Sequence, residues 1–366
     1  MQVHNRARPC PLCRCFGVDT EGISGEPSDR PEYGGAGERP QAIRRRPCRM
    51  TGRGQGAQRR TDRSRASFGD PDADRPPLRE IDKERFMSTA EQFHVSEVTR
   101  SYWRVTFDNG PVNLMDPDTI EQLGELIGRI EDEPELTVVV FRSDKPGYFI
   151  AHWDLMSDSA RVAGMPPGPT GLHPYLDNFV RLSKLPVATI SEIRGRTRGA
   201  GSEFVLSTDI RFASENAVLG QFEVGVGSVP GGGAMARLGR LVGRGRALEI
   251  LLGGDDMPAG VAAEYGYVNR VVPDADIEAF TDAFARRIAG FDRVAVAGIK
   301  GLVDAATLPA NEELARGLQA YFATAGRPEN RPFVQLLFDN GLQQPGGIET
   351  DLGTTIGTLR QNLDRP

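Results

Sequence analysis

Two glycine-bearing segments of the chain combine residue types that could stabilise an anion. The first, residues 147–155 (GYFIAHWDL), follows a predicted strand, and the second, residues 194–204 (RGRTRGAGSEF), lies between a predicted strand and a predicted helix. Small residues at a helix start let a ligand approach backbone N–H groups, and the helix dipole favours negative charge there. The second segment could therefore stabilise an oxyanion, although the same glycines would also serve close packing of a strand on a helix.

The elements that would position these segments alternate between strands and helices. Alternating or β-branched patterns predict strands at residues 102–108, 137–141, 186–193 and 210–213. Asp116 followed by Pro117 predicts an N-cap and the first position of an amphipathic helix. This alternation indicates an α/β protein. From Ala234 onward helical periodicity dominates, at residues 239–252, 258–265, 277–288 and 295–306, with one short strand at 268–272.

The first 86 residues differ in composition from the rest of the chain. They carry 17 Arg and one Lys against 13 acidic residues, a net charge of +5, whereas the other 280 residues carry 26 basic and 37 acidic residues, a net charge of −11. With 9 Pro, 10 Gly and almost no apolar run, residues 1–86 are predicted to be disordered. Met87 is predicted to be the natural initiator, and the remaining 280 residues suffice for one large domain.

Composition argues against several classes of protein. All four cysteines fall in the predicted tail, so the folded part is expected to be neither a disulfide scaffold nor a thiol enzyme. The tail cysteines lack a second pair that would complete a zinc site, and three histidines make a multi-histidine metal site improbable in the folded part. The arginine runs are interleaved with acids, which argues against nucleic acid. Without a bilayer-length apolar stretch or a signal peptide, we expect a cytoplasmic protein with no membrane partner. The cysteines are Cys10, Cys13, Cys15 and Cys48.

Further segments extend these observations into a family pattern. Gln221-Phe222-Glu223 is followed by residues 229–233 (VPGGG), and together with the two glycine-bearing segments they resemble the enoyl-CoA hydratase/isomerase (crotonase) superfamily. The resemblance runs from about residue 98 to about residue 308. The remaining matching segments, in chain order, are residues 111–115 (PVNLM), 151–155 (AHWDL), 199–203 (GAGSE), 208–213 (TDIRFA), 243–253 and 262–272.

The resemblance implies an oxyanion hole and a pair of carboxylates. Backbone N–H groups of Ala151 and Ala200 would polarise a thioester carbonyl and stabilise an enolate, and such donors contribute about 3–4 kcal/mol each. Glu203 and Glu223, 20 residues apart as in the family's hydratases, would act as base toward water and acid toward Cα. Each glutamate alone could also be non-catalytic. Glu203 could complement the dipole at a helix N-terminus, and Glu223 could be a solvated loop residue. The predicted substrate-binding residues are Asn113, Phe149, His152, Trp153, Asp154, Arg198 and Gly199.

The chain departs from the family pattern at positions that affect substrate choice. His152 and Trp153 stand where the family has small residues, so Trp153 could shorten the acyl pocket and His152 could titrate, or both side chains could turn into neighbouring structure. Arg194, Arg196 and Arg198 would share one face of an extended segment. They could pair with CoA phosphates, an anionic acyl group or acids of a neighbouring subunit, or face solvent.

The C-terminus is the third departure. Residues 323–366, with their proline- and glycine-rich stretches, replace or extend the terminal helices that hold the family's trimer and cover its CoA site. Lys300 lies in a predicted helix where the family can place a basic residue near a CoA phosphate.

We therefore predict a crotonase-like spiral of repeated ββα units over residues 87–290 and a helical trimerisation or lid region over residues 291–366. The predicted function is hydration of a 2-enoyl-CoA, as in fatty acid metabolism, by a homotrimer or homohexamer. No metal or other cofactor is expected, since CoA enters as part of the substrate. The alternatives are isomerisation, decarboxylation or C–C hydrolysis through a similar enolate, or a non-catalytic binding module whose pocket Trp153 has closed.

Overall fold

The computed structural model describes residues 90–363. The predictions for residues 1–86, their cysteines and the Met87 start lie outside the described residues. Within the described range, no helix is long and apolar enough to cross a lipid bilayer.

The larger of two sheets has six strands, and it forms the centre of the fold. Its first two strands are antiparallel and the others pair in parallel. The central strands β3 and β5 are buried along almost their whole length, as expected for parallel strands covered on both faces. In spatial order the strands are β1 (Phe93–Thr99), β2 (Tyr102–Phe107), β3 (Val138–Ser143), β5 (Ala188–Ile193), β7 (Ile210–Ser214) and β10 (Arg270–Val272).

A smaller sheet has four short strands, which are interspersed along the sequence with the strands of the larger sheet. Each of its first three strands follows a strand of the larger sheet. After the first two, a helical segment leads back to the larger sheet, and after the third the chain passes through the fourth short strand before it returns there. This repeated strand–strand–helix course confirms the predicted spiral of ββα units. The short strands were not predicted, because two or three residues are too few to show an alternating pattern. They are β4 (Tyr148–Ile150), β6 (Arg196–Arg198), β8 (Val218–Gly220) and β9 (Met257–Pro258).

The first long helix, α1 (Pro117–Asp132), begins as predicted. The Asp116 side chain accepts from the Thr119 N–H at 2.8 Å, and the Thr119 hydroxyl accepts from the Asp116 N–H at 3.0 Å. These reciprocal bonds satisfy donors that a helix start leaves without intrahelical partners. The apolar face of α1 is buried and packs near α3 (Pro174–Lys184).

The C-terminal region is helical, as predicted, although one predicted helix is wrong. Residues 239–252 form two helices because Gly243 between them has φ +79°, which glycine adopts readily and other residues rarely do. The position of the domain boundary at residue 290 stays a prediction. The remaining helices are α2 (Ser159–Ala163), α4 (Ala200–Val205), α5 (Ala234–Leu241), α6 (Arg244–Gly253), α7 (Ala259–Tyr265), α8 (Ile277–Ala289), α9 (Arg293–Thr307), α10 (Asn311–Thr324), α11 (Arg331–Asp339) and α12 (Leu352–Leu363).

The last two helices fold back onto the same chain. Phe333, Leu337 and Ile356 bury a small apolar cluster together with Phe222. Residues 90–363 also contain three short 3₁₀ helices: Glu223–Val226, Pro328–Asn330 and Gly347–Thr350. The C-terminal residues thus pack beside the segment that carries Glu223.

Candidate active site

Glu203 lies in α4, and its side chain is buried. One carboxylate oxygen accepts from the N–H groups of Gly232 at 2.6 Å and Ala234 at 3.2 Å. The other accepts from the Tyr175 hydroxyl at 3.0 Å. A Cβ atom at Gly232 would lie 2.5 Å from the Glu203 carboxylate, so this close approach requires glycine. The fold therefore brings the predicted VPGGG segment onto Glu203.

The surroundings of Glu203 bring its pKa close to neutral pH. Burial raises its pKa to about 7, although the hydrogen bonds from Ala234, Tyr175 and Gly232 act in the opposite direction. A carboxyl group with a pKa near the working pH is well suited to general acid–base catalysis.

Glu223 begins the 3₁₀ helix Glu223–Val226 and is partly exposed. Its carboxylate faces Gly199, because a Cβ atom there would lie 3.1 Å from the Glu223 Oε1 atom. Gln221 satisfies both its neighbours when its amide nitrogen donates to Glu223 at 2.9 and 3.0 Å and its oxygen accepts from the Ser202 hydroxyl at 2.7 Å. Burial and the negative charge of Glu203 raise the pKa of Glu223 well above its ordinary value. The two glutamates are thus close enough to influence each other's ionisation.

The two glycines at the start of α4 have separate functions that the sequence left open. Gly199, with φ +48°, leaves room for Glu223. Gly201 packs against β4, because a Cβ atom there would overlap the carbonyl oxygen of Ile150. Ala200 is the first residue of α4, and its N–H donates to no group among residues 90–363. The segment therefore provides both close packing and an available N–H donor.

The predicted donor Ala151 is wrong. Its N–H already donates to the carbonyl oxygens of Val112 at 3.3 Å and Asn113 at 3.0 Å. Trp153, two residues later, forms a parallel bridge with Met115 in which the flanking residues make the bonds. In such a bridge the N–H of the middle residue points away from the partner strand. Within the described part of the chain the Trp153 N–H has no acceptor, so it is an available donor in this segment.

Two predicted substrate contacts belong to the framework around this segment. The Asn113 amide nitrogen donates to Phe107 at 3.1 Å, Ser143 at 2.7 Å and Phe149 at 3.0 Å, and its oxygen accepts from Asn109 at 2.8 Å. The polar atoms of Asn113 are therefore committed within the protein. The Phe149 ring is buried in the core.

His152, Asp154 and Arg198 face the C-terminal segment instead of the two glutamates. The His152 ring lies 3.3 Å from the Glu349 carboxylate, and Asp154 accepts from the Gln343 amide at 2.6 Å. The predicted substrate contact of Arg198 is wrong, because its guanidinium is buried and makes paired hydrogen bonds of 2.6 and 2.8 Å with Asp256.

The other basic residues also have partners within the same chain. Arg194 pairs with Asp274 at 3.0 Å, and Arg196 donates to the Thr350 carbonyl at 2.8 Å. Lys300 pairs with Asp209 at 2.8 Å. Each of these three side chains therefore has a partner within its own chain, and pairing with CoA phosphates, an anionic acyl group or a neighbouring subunit stays a prediction.

Two tyrosines that the sequence analysis did not identify also line the site. The Tyr175 ring packs edge-on against Trp153, with ring centres 5.7 Å apart, and its hydroxyl reaches Glu203. Tyr321 packs against Gly231, and burial and the charges of Glu203 and Glu223 raise the pKa of Tyr321 to about 12. Both tyrosines come from helices distant in sequence, so no local pattern could have identified them. Their aromatic rings line the site next to the glutamates.

Comparisons with known proteins identify a matching family and similar solved structures. The sequence profile of the enoyl-CoA hydratase/isomerase family matches residues 97–327. A Streptomyces avermitilis protein assigned as an enoyl-CoA hydratase is 37% identical, with a TM-score of 0.70, over 74% of this chain and 98% of that chain. Pseudomonas aeruginosa DspI is 26% identical, with a TM-score of 0.55, over 69% of this chain and 98% of its own. An enoyl-CoA hydratase from Bacillus anthracis is 25% identical, with a TM-score of 0.53, over 71% of this chain and all of its own.

Proposed function

We propose that this chain, which belongs to the enoyl-CoA hydratase/isomerase (crotonase) family and has its fold, adds water to the double bond of a 2-enoyl-CoA. The observation that carries the proposal is the unequal pair of glutamates beside two available N–H groups. Glu203 has a pKa of about 7, and the pKa of Glu223 is raised well above its ordinary value. One carboxyl group is therefore ready to accept a proton while the other holds one.

The unequal surroundings decide the proton roles. Three donors stabilise the Glu203 carboxylate, so it is the group that ionises first and takes a proton from water. The oxygen of that water bonds to Cβ, and the π electrons of the double bond move toward the thioester carbonyl. Glu223 then gives its proton to Cα. The two groups titrate as a pair, so solution measurements report the pair.

The enolate oxygen would be held by the N–H groups of Ala200 and Trp153. Both donors are unoccupied within the described residues, and one lies at a helix start. Each donor aimed at the developing charge would lower the barrier by about 3–4 kcal/mol. CoA is carried by the substrate in this proposal, and the protein needs no further cofactor for it.

The test is conversion of a short 2-enoyl-CoA by the full chain, followed by mass analysis of the product. Hydration adds the mass of one water, whereas double-bond isomerisation leaves the mass unchanged. Glu203→Gln and Glu223→Gln are each expected to lower kcat by about 100- to 10,000-fold, and the exposed control Glu264→Gln is expected to keep wild-type activity. An isomerised product of unchanged mass, or full activity without Glu203, would reject hydration by this pair.

A further inference from the structure

The C-terminal segment inserts a buried carboxylate beside the candidate site. Glu349, in the 3₁₀ helix Gly347–Thr350, is fully buried. Its Oε2 atom accepts from the Gln343 N–H at 2.8 Å and lies 3.3 Å from the His152 ring nitrogen. Its main-chain carbonyl accepts from Arg198 at 3.1 Å, and its Oε1 atom lies 3.7 Å from the same guanidinium.

These contacts join the two chain segments that carry the available N–H donors. His152 immediately precedes Trp153, and Arg198 precedes Ala200 by two residues. Glu349 is therefore one side chain that touches both segments from the outside of the site. The distance between two oxyanion donors depends on how these segments are held relative to each other.

Gln343 strengthens the contact on one side. Its amide oxygen accepts from the Leu155 N–H at 2.9 Å, and its amide nitrogen donates to Asp154 at 2.6 Å. Gln343 has φ +64°, a conformation that residues other than glycine seldom adopt. The segment that contains Trp153 is thus bonded to the C-terminal segment at residues on both sides of Trp153.

The charge of Glu349 is retained in the buried position. Burial by itself would raise the pKa of Glu349, but His152, the Gln343 N–H and Arg198 lower the pKa below its ordinary value. A buried ion pair contributes little net stability compared with apolar residues of the same volume, whereas its partners fix geometry.

We propose that Glu349 is a positioning residue that holds the Trp153 and Ala200 N–H groups at the spacing needed to bind the thioester oxygen, with Gln343 supporting the Trp153 side. This inference rests on the proposed function, because the positioned groups are the donors of that reaction. The C-terminal segment therefore determines the strength of the oxyanion hole without touching substrate.

The principal test compares Glu349→Gln with the exposed control Glu329→Gln in the full chain. Glutamine keeps the shape of the side chain and removes its charge. We expect kcat to fall by about 10- to 100-fold with little change in KM. We also expect the infrared carbonyl stretch of a bound, isotope-labelled enoyl-CoA to move to higher frequency, because a weaker oxyanion hole polarises the carbonyl less. The control is expected to match the wild type in both measurements.

A second variant keeps the test decisive if Glu349→Gln fails to fold. Gln343→Ala removes two hydrogen bonds to the same segment, and its exposed neighbour provides the matched control Gln344→Ala. Gln343→Ala is expected to shift the carbonyl stretch in the same direction by a smaller amount. In the ligand-free protein, amide hydrogen exchange at residues 152–155 should become faster in Gln343→Ala and stay unchanged in the control Gln344→Ala.

The outcomes separate this proposal from hydration itself. Wild-type kcat and an unshifted carbonyl stretch in both variants would overturn the positioning role and leave hydration in place. A wild-type protein that polarises the bound carbonyl without adding water would remove hydration, and the stretch would still report the effect of Glu349. If the wild type binds no enoyl-CoA, both proposals fall.

Discussion

At the scale of residues, two side chains of the same type acquire different chemistry from their neighbours. Glu203 has three hydrogen-bond donors around its carboxylate, whereas Glu223 lies beside that carboxylate with the Gln221 amide as its side-chain partner. Donors favour the ionised form and a nearby negative charge disfavours it. The direction of proton transfer in the proposed reaction follows from this difference.

The pH dependence of the reaction follows from the same difference. Hydration requires ionised Glu203, whose pKa is about 7, and protonated Glu223, whose pKa is raised well above its ordinary value. We expect kcat/KM to rise as the pH approaches about 7 from below and to fall at higher pH as Glu223 loses its proton. The pH profile measured with a short 2-enoyl-CoA checks this, and a flat profile from about pH 5 to pH 9 would contradict it.

Tyr175 tunes the acid limb of that profile. Its hydroxyl donates to Glu203 at 3.0 Å, and burial together with Glu203 keeps the pKa of Tyr175 well above its usual value, so the hydroxyl stays a donor. Tyr175→Phe removes this bond, which should raise the pKa of Glu203 and move the acid limb upward by roughly one pH unit. The exposed pair of Tyr265 with Glu249 provides the control Tyr265→Phe, which should leave the limb in place. An unmoved limb in Tyr175→Phe would show that the bond does not tune Glu203.

At the scale of elements, the contact between α4 and β4 positions Ala200. Gly201 lies so close to Ile150 that a methyl group would displace one of the two elements. We expect Gly201→Ala to reduce the free energy of unfolding by about 1–3 kcal/mol and to lower activity, because Ala200 moves with α4. Denaturant unfolding measures the first effect.

A glycine in another helix provides the control for this substitution. Gly260 lies in α7, and no atom of another element lies near the position that an added methyl group would take. Gly260→Ala should therefore be neutral or stabilise the protein by up to about 1 kcal/mol. Equal effects of the two substitutions would show that the α4–β4 contact is not tight.

At the scale of the whole molecule, α9 presents apolar side chains that the rest of residues 90–363 leaves exposed. Val294, Ile299 and Leu302 are 78%, 68% and 79% exposed, and no residue of α9 is buried. Contiguous exposed apolar patches commonly mark interfaces between proteins. The predicted trimer or hexamer would bury this face against other copies of the chain.

Introducing negative charge on that face tests the self-association. The double variant Ile299→Glu, Leu302→Glu should give a smaller species than the wild type in light scattering coupled to gel filtration, because charges cannot be buried without partners. Ala320→Glu, an exposed position of α10, is the control and should leave the mass unchanged. A monomeric wild type, or a double variant with the wild-type mass, would reject α9 as the interface.

Local sequence predicted much of the fold, and the family resemblance predicted the two glutamates. The start of α1, every strand of the larger sheet except β1 and most C-terminal helices were predictable, because caps and periodic apolar faces involve neighbours along the chain. Replacing Ala151 by Trp153 as the candidate donor required the structure, since only the hydrogen bonds of Ala151 and the bridge to Met115 show which N–H group is occupied and which points away from the neighbouring strand.

The partners of the polar side chains were decided by the tertiary structure. Sequence spacing suggested that Arg198 faces substrate, but the fold places it between Asp256 and the C-terminal segment. His152 meets Glu349 across 197 positions of sequence, and Tyr175 meets Glu203 across 28. Hydrogen bonds act only over about 3 Å, so such pairings follow from how distant segments pack, and no local pattern contains them.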